Sequence, residues 1–178
     1  MKDRVLLLHG WNASDYPHWQ SWLAGEIAKN YGTVSFPKLH DTEFPDKNAW
    51  KEQLKQHLID FKPDIVICHS IANILWFHMC NEEKITDVKK LYLVAPPSIN
   101  TQIQEIQSFF PVQPPKNLHA KEVLLITSTN DPYLSMEEAK SLQNSLGVEM
   151  IVLKDAGHIN TDSNYGQWQW ILNDLNLS

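Results

Sequence analysis

Asp64-Ile65-Val66-Ile67-Cys68-His69-Ser70-Ile71-Ala72 is the stretch whose reading decides the fold. Ile65 to Cys68 form an unbroken apolar run, as expected of a strand covered on both faces. The run ends in a small-x-Ser-x-small turn and passes into a helix at Ile71. A strand-to-helix turn this sharp brings backbone segments together, so the positions two before and two after the serine must be small. Here they are Cys68 and Ala72, where glycine is usual. The turn has the form of a nucleophile elbow presenting Ser70, with the Ile71 N–H behind it. The blander alternative is a buried serine capping the following helix, so other residues must decide.

Outward from this segment, short β-branched or leucine-rich runs alternate with longer amphipathic stretches, the signature of an α/β fold with a mostly parallel sheet. Strands are predicted at Arg4 to Leu8, Thr33 to Phe36, Ile65 to Cys68, Lys90 to Val94, Glu122 to Ser128 and Glu149 to Leu153. The sheet therefore has five or six strands. Trp19, Leu23 and Ile27 recur at helical spacing, as do Trp50, Leu54, Leu58 and Phe61, and these stripes should face the sheet. Ser135-Met136-Glu137-Glu138 reads as a capping box opening a helix that runs to about Leu146. The proline-rich segment 97–118 is the candidate lid. No repeat, flexible linker or shift in composition marks a second unit, so residues 1–178 are expected to form one domain.

Two further loops carry chemistry. Leu6-Leu7-Leu8 runs into His9-Gly10-Trp11-Asn12, and a loop of this kind can supply a backbone donor, here the Trp11 N–H, to pair with that of Ile71 at a developing oxyanion. Gly10 lets the backbone approach, and His9 reads as structural because its place in the chain is wrong for a base. In hydrolases with such an elbow the serine is followed by an acid and then a histidine, each just past a strand end. Asp131 follows the strand ending at Ser128, and His158 follows the one ending at Leu153, after Gly157. Asn130 is the nearest polar alternative to Asp131. Asp155 is a rival acid but shares the loop of His158, and His119 precedes Asp131 and breaks the order. Ser70, His158 and Asp131 are thus the candidate nucleophile, base and orienting acid. His9, Asn12, His69, Phe109 and Phe110 are candidate pocket residues.

The net charge of −6 and the absence of a Lys/Arg cluster argue against nucleic acid and anionic lipid as partners. Only four apolar residues, Val5 to Leu8, follow the N-terminus, too few for a signal peptide core or membrane span, so a cytoplasmic location is expected. Cys68 and Cys80 lie roughly 15 Å apart along a predicted helix, beyond disulfide reach, and should be free thiols. The eight histidines are scattered and no cysteine pair has zinc spacing, so neither metal nor cofactor is expected. Six of the seven tryptophans fall in predicted helices and read as core; Trp11, in the loop, is a candidate pocket wall.

With His9-Gly10-x-x-Ala13-Ser14, His18-Trp19, Trp22, the elbow at Ser70, Asp131 and Gly157-His158 on the page, the chain resembles the YdeN-like serine hydrolases, a group that includes retinoblastoma-binding protein nine. The resemblance spans nearly the whole chain. It implies a compact α/β-hydrolase fold without a large cap domain, a Ser, Asp, His triad and activity on simple esters. Cys68 and Ala72 depart from the small residues typical of the family. The expected function is therefore a carboxylesterase-like serine hydrolase acting on small or short-acyl esters through an acyl-enzyme on Ser70. A short lid around Phe109, Phe110 and Pro111 leaves little apolar surface for a long chain. The alternative is a protein-binding or regulatory member of the fold with little or no catalysis, although nothing in the sequence indicates a protein partner.

Overall fold

A computed structural model describes residues 2–177. Met1 and Ser178, the ends of the expected domain, lie outside the described residues. In chain order the main elements are β1 (Val5–Leu8), α1 (Trp19–Asn30), β2 (Val34–Ser35), α2 (Lys47–Phe61), β3 (Ile65–His69) and α3 (Ile71–Glu82). There follow β4 (Val88–Val94), β5 (Ala120–Ser128), α4 (Met136–Leu146), β6 (Glu149–Leu153) and α5 (Gln169–Asp174). The six strands form one sheet in the order β2-β1-β3-β4-β5-β6, with every neighbouring pair parallel.

Alternation along the strands divides the core in two. Leu6, Leu8, Val66, Cys68, Leu91 and Leu93 point to the face covered by α2, α3 and Leu142 of α4. Val5, Leu7, Ile65, Ile67, Tyr92 and Val94 point to the other, covered by Trp19, Leu23 and Ile27 of α1 and Ile171 and Leu172 of α5. This two-sided burial explains why the strands read as continuous apolar runs. α3, buried at every position from Ile71 to Met79, is the central helix of its face. α4 starts with the expected capping box, the Ser135 Oγ accepting from the Glu138 N–H and the Glu138 carboxylate accepting from the Ser135 N–H. It ends at Gly147, whose φ of +66° is the left-handed conformation that glycine adopts without strain.

Several expectations change. β4 and β5 begin earlier than predicted, at Val88 and Ala120, because Lys89, Lys121 and Glu122 lie at the sheet's exposed amino end and interrupt the apolar pattern without interrupting the ladder. β2 is only Val34–Ser35. Trp19, Trp50, Trp76 and Trp168 are core residues, although Trp168 stands just before α5 rather than within it, and Trp170 is 38% exposed. The segment 97–118 contains a 3-10 turn, Gln104–Phe109, tied to the body. Ser108 Oγ donates to the Pro45 carbonyl (3.0 Å), Asn81 Nδ2 to that of Gln113 (2.8 Å) and Trp76 Nε1 to that of Leu118 (3.0 Å). No helix among the described residues is long and apolar enough to cross a membrane.

The strand order turns back between β1 and β3: the chain runs from β1 outward to β2, and from β3 outward to β6 in the opposite direction. In open parallel sheets the crevice beyond the carboxyl ends of two such strands is where ligands bind. The His9 loop follows β1 and Ser70 follows β3, so this topology brings them together.

Candidate active site

Ser70 has φ +56° and ψ −127°, a conformation that L-residues rarely adopt and that costs on the order of 1–3 kcal/mol. Its surroundings hold it there. The Ser70 N–H donates to the Val94 carbonyl (3.0 Å), and the Ser70 carbonyl accepts from the N–H and Nδ2 of Asn73 (3.0 and 2.7 Å). Asn73 Nδ2 also reaches the Val94 carbonyl (2.9 Å), so this fully buried amide staples the elbow to β4. Asn73 was not legible as a support residue in the sequence. Cys68 and Ala72 have no exposed surface, as the tight turn requires. Burial raises the Cys68 thiol far above its ordinary pKa and that of Cys80 to about 12; both are free.

His158 Nε2 lies 2.9 Å from Ser70 Oγ. Its Nδ1 lies 3.0 and 2.9 Å from the two oxygens of Asp131. A carboxylate can only accept, so Nδ1 carries the proton of the neutral ring and Nε2 is free to accept from the Ser70 hydroxyl. Asp131 is held in turn by the Tyr133 N–H (2.9 Å). Asn130, the nearest polar alternative, instead knits the two loops, its Oδ1 accepting from Ser128 Oγ (2.9 Å) and the Gly157 N–H (2.7 Å). Asp155 is exposed and accepts from the Thr129 hydroxyl (3.3 Å), away from the His158 ring. Gly157 has φ +54°, and a Cβ there would lie 2.9 Å from Ser163 Cβ. Both the conformation and the packing call for glycine.

Gly10 is the close approach between the loops after β1 and β3: a Cβ on it would stand 2.7 Å from Ser70 Cβ and 3.3 Å from Ser70 Oγ. Next to it, the backbone N–H groups of Trp11 and Ile71 have no acceptor among the described residues. They flank the serine and are available to an oxyanion. The Trp11 indole donates to the Glu43 carbonyl (2.8 Å), which fixes its ring as one wall of the cleft. His9, expected as a pocket candidate, is not part of the cleft. Its Nδ1 donates to the Gly10 carbonyl (2.7 Å), its Nε2 accepts from the Leu39 N–H (2.8 Å), and burial lowers its pKa. With both nitrogens engaged it shapes the loop, as its structural reading held.

The cleft over Ser70 encloses about 270 Å³. Asn12 and His69, both expected, line it with His158. Phe109 and Phe110 do not, and this corrects the sequence reading. Ile103, Ile106 and Phe109 share one edge of the 3-10 segment, since i and i+3 eclipse there. Ile103 and Ile106 meet the cleft, but Phe109, at the far end, enters the core edge-to-face with Trp50 (5.4 Å), and Phe110 packs against the same core. Besides Ile103 and Ile106, the residues missed are Ala13, His18, Pro97, Tyr133 and the run Asn160 to Asp162. Tyr133 follows Asp131 closely and its ring lies edge-on to that of His158 (4.6 Å).

His69 is buried, and its Nε2 donates to the His158 carbonyl (3.1 Å), tying the base's backbone to β3. Burial holds its pKa well below the usual histidine range. The His18 ring lies 4.9 Å from that of His69, which lies 5.3 Å from that of His158. Burial, then the neighbouring His158 and His9, lower His18 from 6.5 to about 4.

A scan against family models matches the serine hydrolase family over residues 5–176, and the chain belongs to that family. Among solved structures, the YdeN gene product of Bacillus subtilis superposes with a TM-score of 0.87 at 16% identity, covering 98% of this chain and 97% of that one. A YdeN-like hydrolase of Pectobacterium atrosepticum gives 0.78 at 24% identity, covering 97% and 88%. The carboxylesterase CesB of Bacillus subtilis gives 0.66 at 10% identity, covering 97% and 82%. At these identities the likeness is one of fold, that of the α/β hydrolases without a cap domain. No curated protein is a significant sequence match.

Proposed function

We propose that this hydrolase cleaves small or short-acyl carboxylic esters through an acyl-enzyme on Ser70. The observation that carries the proposal is the continuous relay from Ser70 Oγ to His158 Nε2 (2.9 Å) and from His158 Nδ1 to Asp131 (2.9 Å). As Ser70 Oγ attacks the ester carbonyl, its proton passes to His158 Nε2, and Asp131 stabilises the imidazolium. The tetrahedral oxyanion takes the N–H groups of Trp11 and Ile71, a reading supported by their having no acceptor among the described residues. Collapse breaks the bond to the alcohol, which leaves with the proton from His158. Water then attacks the acyl-enzyme, gives a proton to His158, and the second collapse returns that proton to Ser70 and releases the acid.

The size of the cleft supports a short acyl group. About 270 Å³ lies just below the range of roughly 300–1,000 Å³ usual for pockets that enclose a drug-sized ligand. The test is hydrolysis of 4-nitrophenyl esters of graded acyl length, with mass spectrometry of rapidly quenched protein. The expected result is a kcat/KM that peaks at short chains and an acyl adduct on the Ser70 peptide. A kcat/KM that climbs to the longest chain would reject the short-acyl reading, and turnover surviving in Ser70→Ala would reject the acyl-enzyme.

A further inference from the structure

His18 caps the amino end of α1: its Nδ1 accepts from the Gln20 N–H (3.1 Å). That bond fixes the tautomer, since a ring nitrogen that accepts carries no proton and the proton of the neutral ring must sit on Nε2. Nε2 has no partner among the described residues, yet it is not sealed from solvent, and His18 lines the same cleft as Ser70 and His158. The ring is otherwise immobilised, 5% exposed, between Trp19 (centroids 5.6 Å apart) and His69 (4.9 Å). The cleft thus holds an oriented N–H donor that the relay does not use.

Resting on the hydrolase reading above, we propose that His18 Nε2–H is a specificity determinant that donates a hydrogen bond to an acceptor oxygen of the substrate beside the scissile ester. The favoured substrates are accordingly short esters bearing an ether, hydroxyl or carbonyl oxygen near the reacting carbonyl. Plain alkyl esters of the same shape leave the donor unpaired and are poorer substrates. Because His18 stays neutral down to about pH 4, it presents the same donor at neutral and at mildly acidic pH.

The experiment compares two isosteric pairs, 4-nitrophenyl methoxyacetate against butyrate and 2-methoxyethyl acetate against butyl acetate. Each rate is corrected for that ester's hydrolysis by hydroxide. Wild type is expected to favour the oxygen-bearing member of at least one pair by roughly three- to tenfold in kcat/KM, the usual range for one neutral hydrogen bond. His18→Asn keeps a side-chain acceptor able to cap α1 but withdraws the donor from the cleft. Its preference should fall to about one. A His18 that served only to cap α1 would, when replaced, slow both members together and leave their ratio intact. That result, or a wild type without preference in either pair, overturns the proposal. The wild-type ratio decides even if the variant fails to fold. Fluorophosphonate labelling of the same wild-type sample separates the two levels. A labelled protein without oxygen preference overturns the role of His18 alone, while an unlabelled one overturns the hydrolase mechanism as well.

Discussion

The two ends of the sheet make opposite use of polar groups. At the amino end a cavity of about 530 Å³, nearly twice the volume of the cleft over Ser70, is lined by Leu58, Ile59 and Ile85 and by Arg4, Lys62 and Lys84. Its charges lie at the surface: Arg4 Nε pairs with Asp64 (3.3 Å) and Lys55 Nζ with Glu83 (3.1 Å), while Lys62 and Lys84 are exposed to solvent. Such exposed pairs contribute about 0–1 kcal/mol each. At the carboxyl end the smaller cleft is bordered by buried imidazoles with assigned nitrogens, a serine in a strained conformation and backbone donors without acceptors. Volume alone would favour the amino end, whereas the proposed site lies at the carboxyl end. What marks a reactive site is polar structure that the fold maintains at a cost without using it internally.

The comparison is sharpest in its two aspartates. Asp131→Asn keeps the shape of the relay but replaces the acceptor-only carboxylate that fixes the His158 tautomer with a neutral amide that can also donate, and should lower kcat by about a thousand- to ten-thousand-fold. Asp64→Asn at the other end should change it less than about twofold, as measured by steady-state ester hydrolysis. Next in size is Gly10→Ala, whose Cβ would press on Ser70 from 2.7 Å. Displacing the serine and the Trp11 donor together should cost about a hundredfold in kcat while circular dichroism still reports a folded protein.

A third difference concerns pH. An unfolded His18 protonates near 6.5, whereas the folded one resists until about pH 4. The unfolded chain therefore binds more protons in this window. The stability is complete above pH 6.5 and declines as pH falls toward 4, by about 3 kcal/mol from His18 alone. Urea unfolding at pH 7 and 4.5 should register the decline, with a shallower one in His18→Asn; equal slopes would remove His18 as the cause. The smallest effect is expected for Lys62→Ala and Lys84→Ala. Each should leave kcat/KM within about twofold and stability within about 0.5 kcal/mol, and a large loss of activity there would break the contrast between the two ends.

What could be read from the sequence was whatever lies close along the chain. The apolar runs of β1, β3 and β5, the small residues around Ser70 and the positions of Asp131 and His158 just past strand ends are local patterns with one physical cause each. Cleft walls are different, because they are chosen by tertiary packing. His18, 52 residues before Ser70, enters the site only because α1 packs across the β1–β3 crevice. Phe109 looked like a lid residue by composition, but its neighbourhood is decided by Trp50 and by His78, whose Nε2 donates to the Phe109 carbonyl (2.8 Å). The early starts of β4 and β5 were hidden for a related reason: at an exposed strand end the ladder, not the side chain, carries the structure.

The most direct test of the account is reaction of the purified protein with a fluorophosphonate probe, which requires an activated serine but no knowledge of the substrate. The account predicts that wild type is labelled at Ser70 and that folded Ser70→Ala and His158→Ala are not. Labelling that persists in Ser70→Ala, or a folded wild type that does not react, would contradict it.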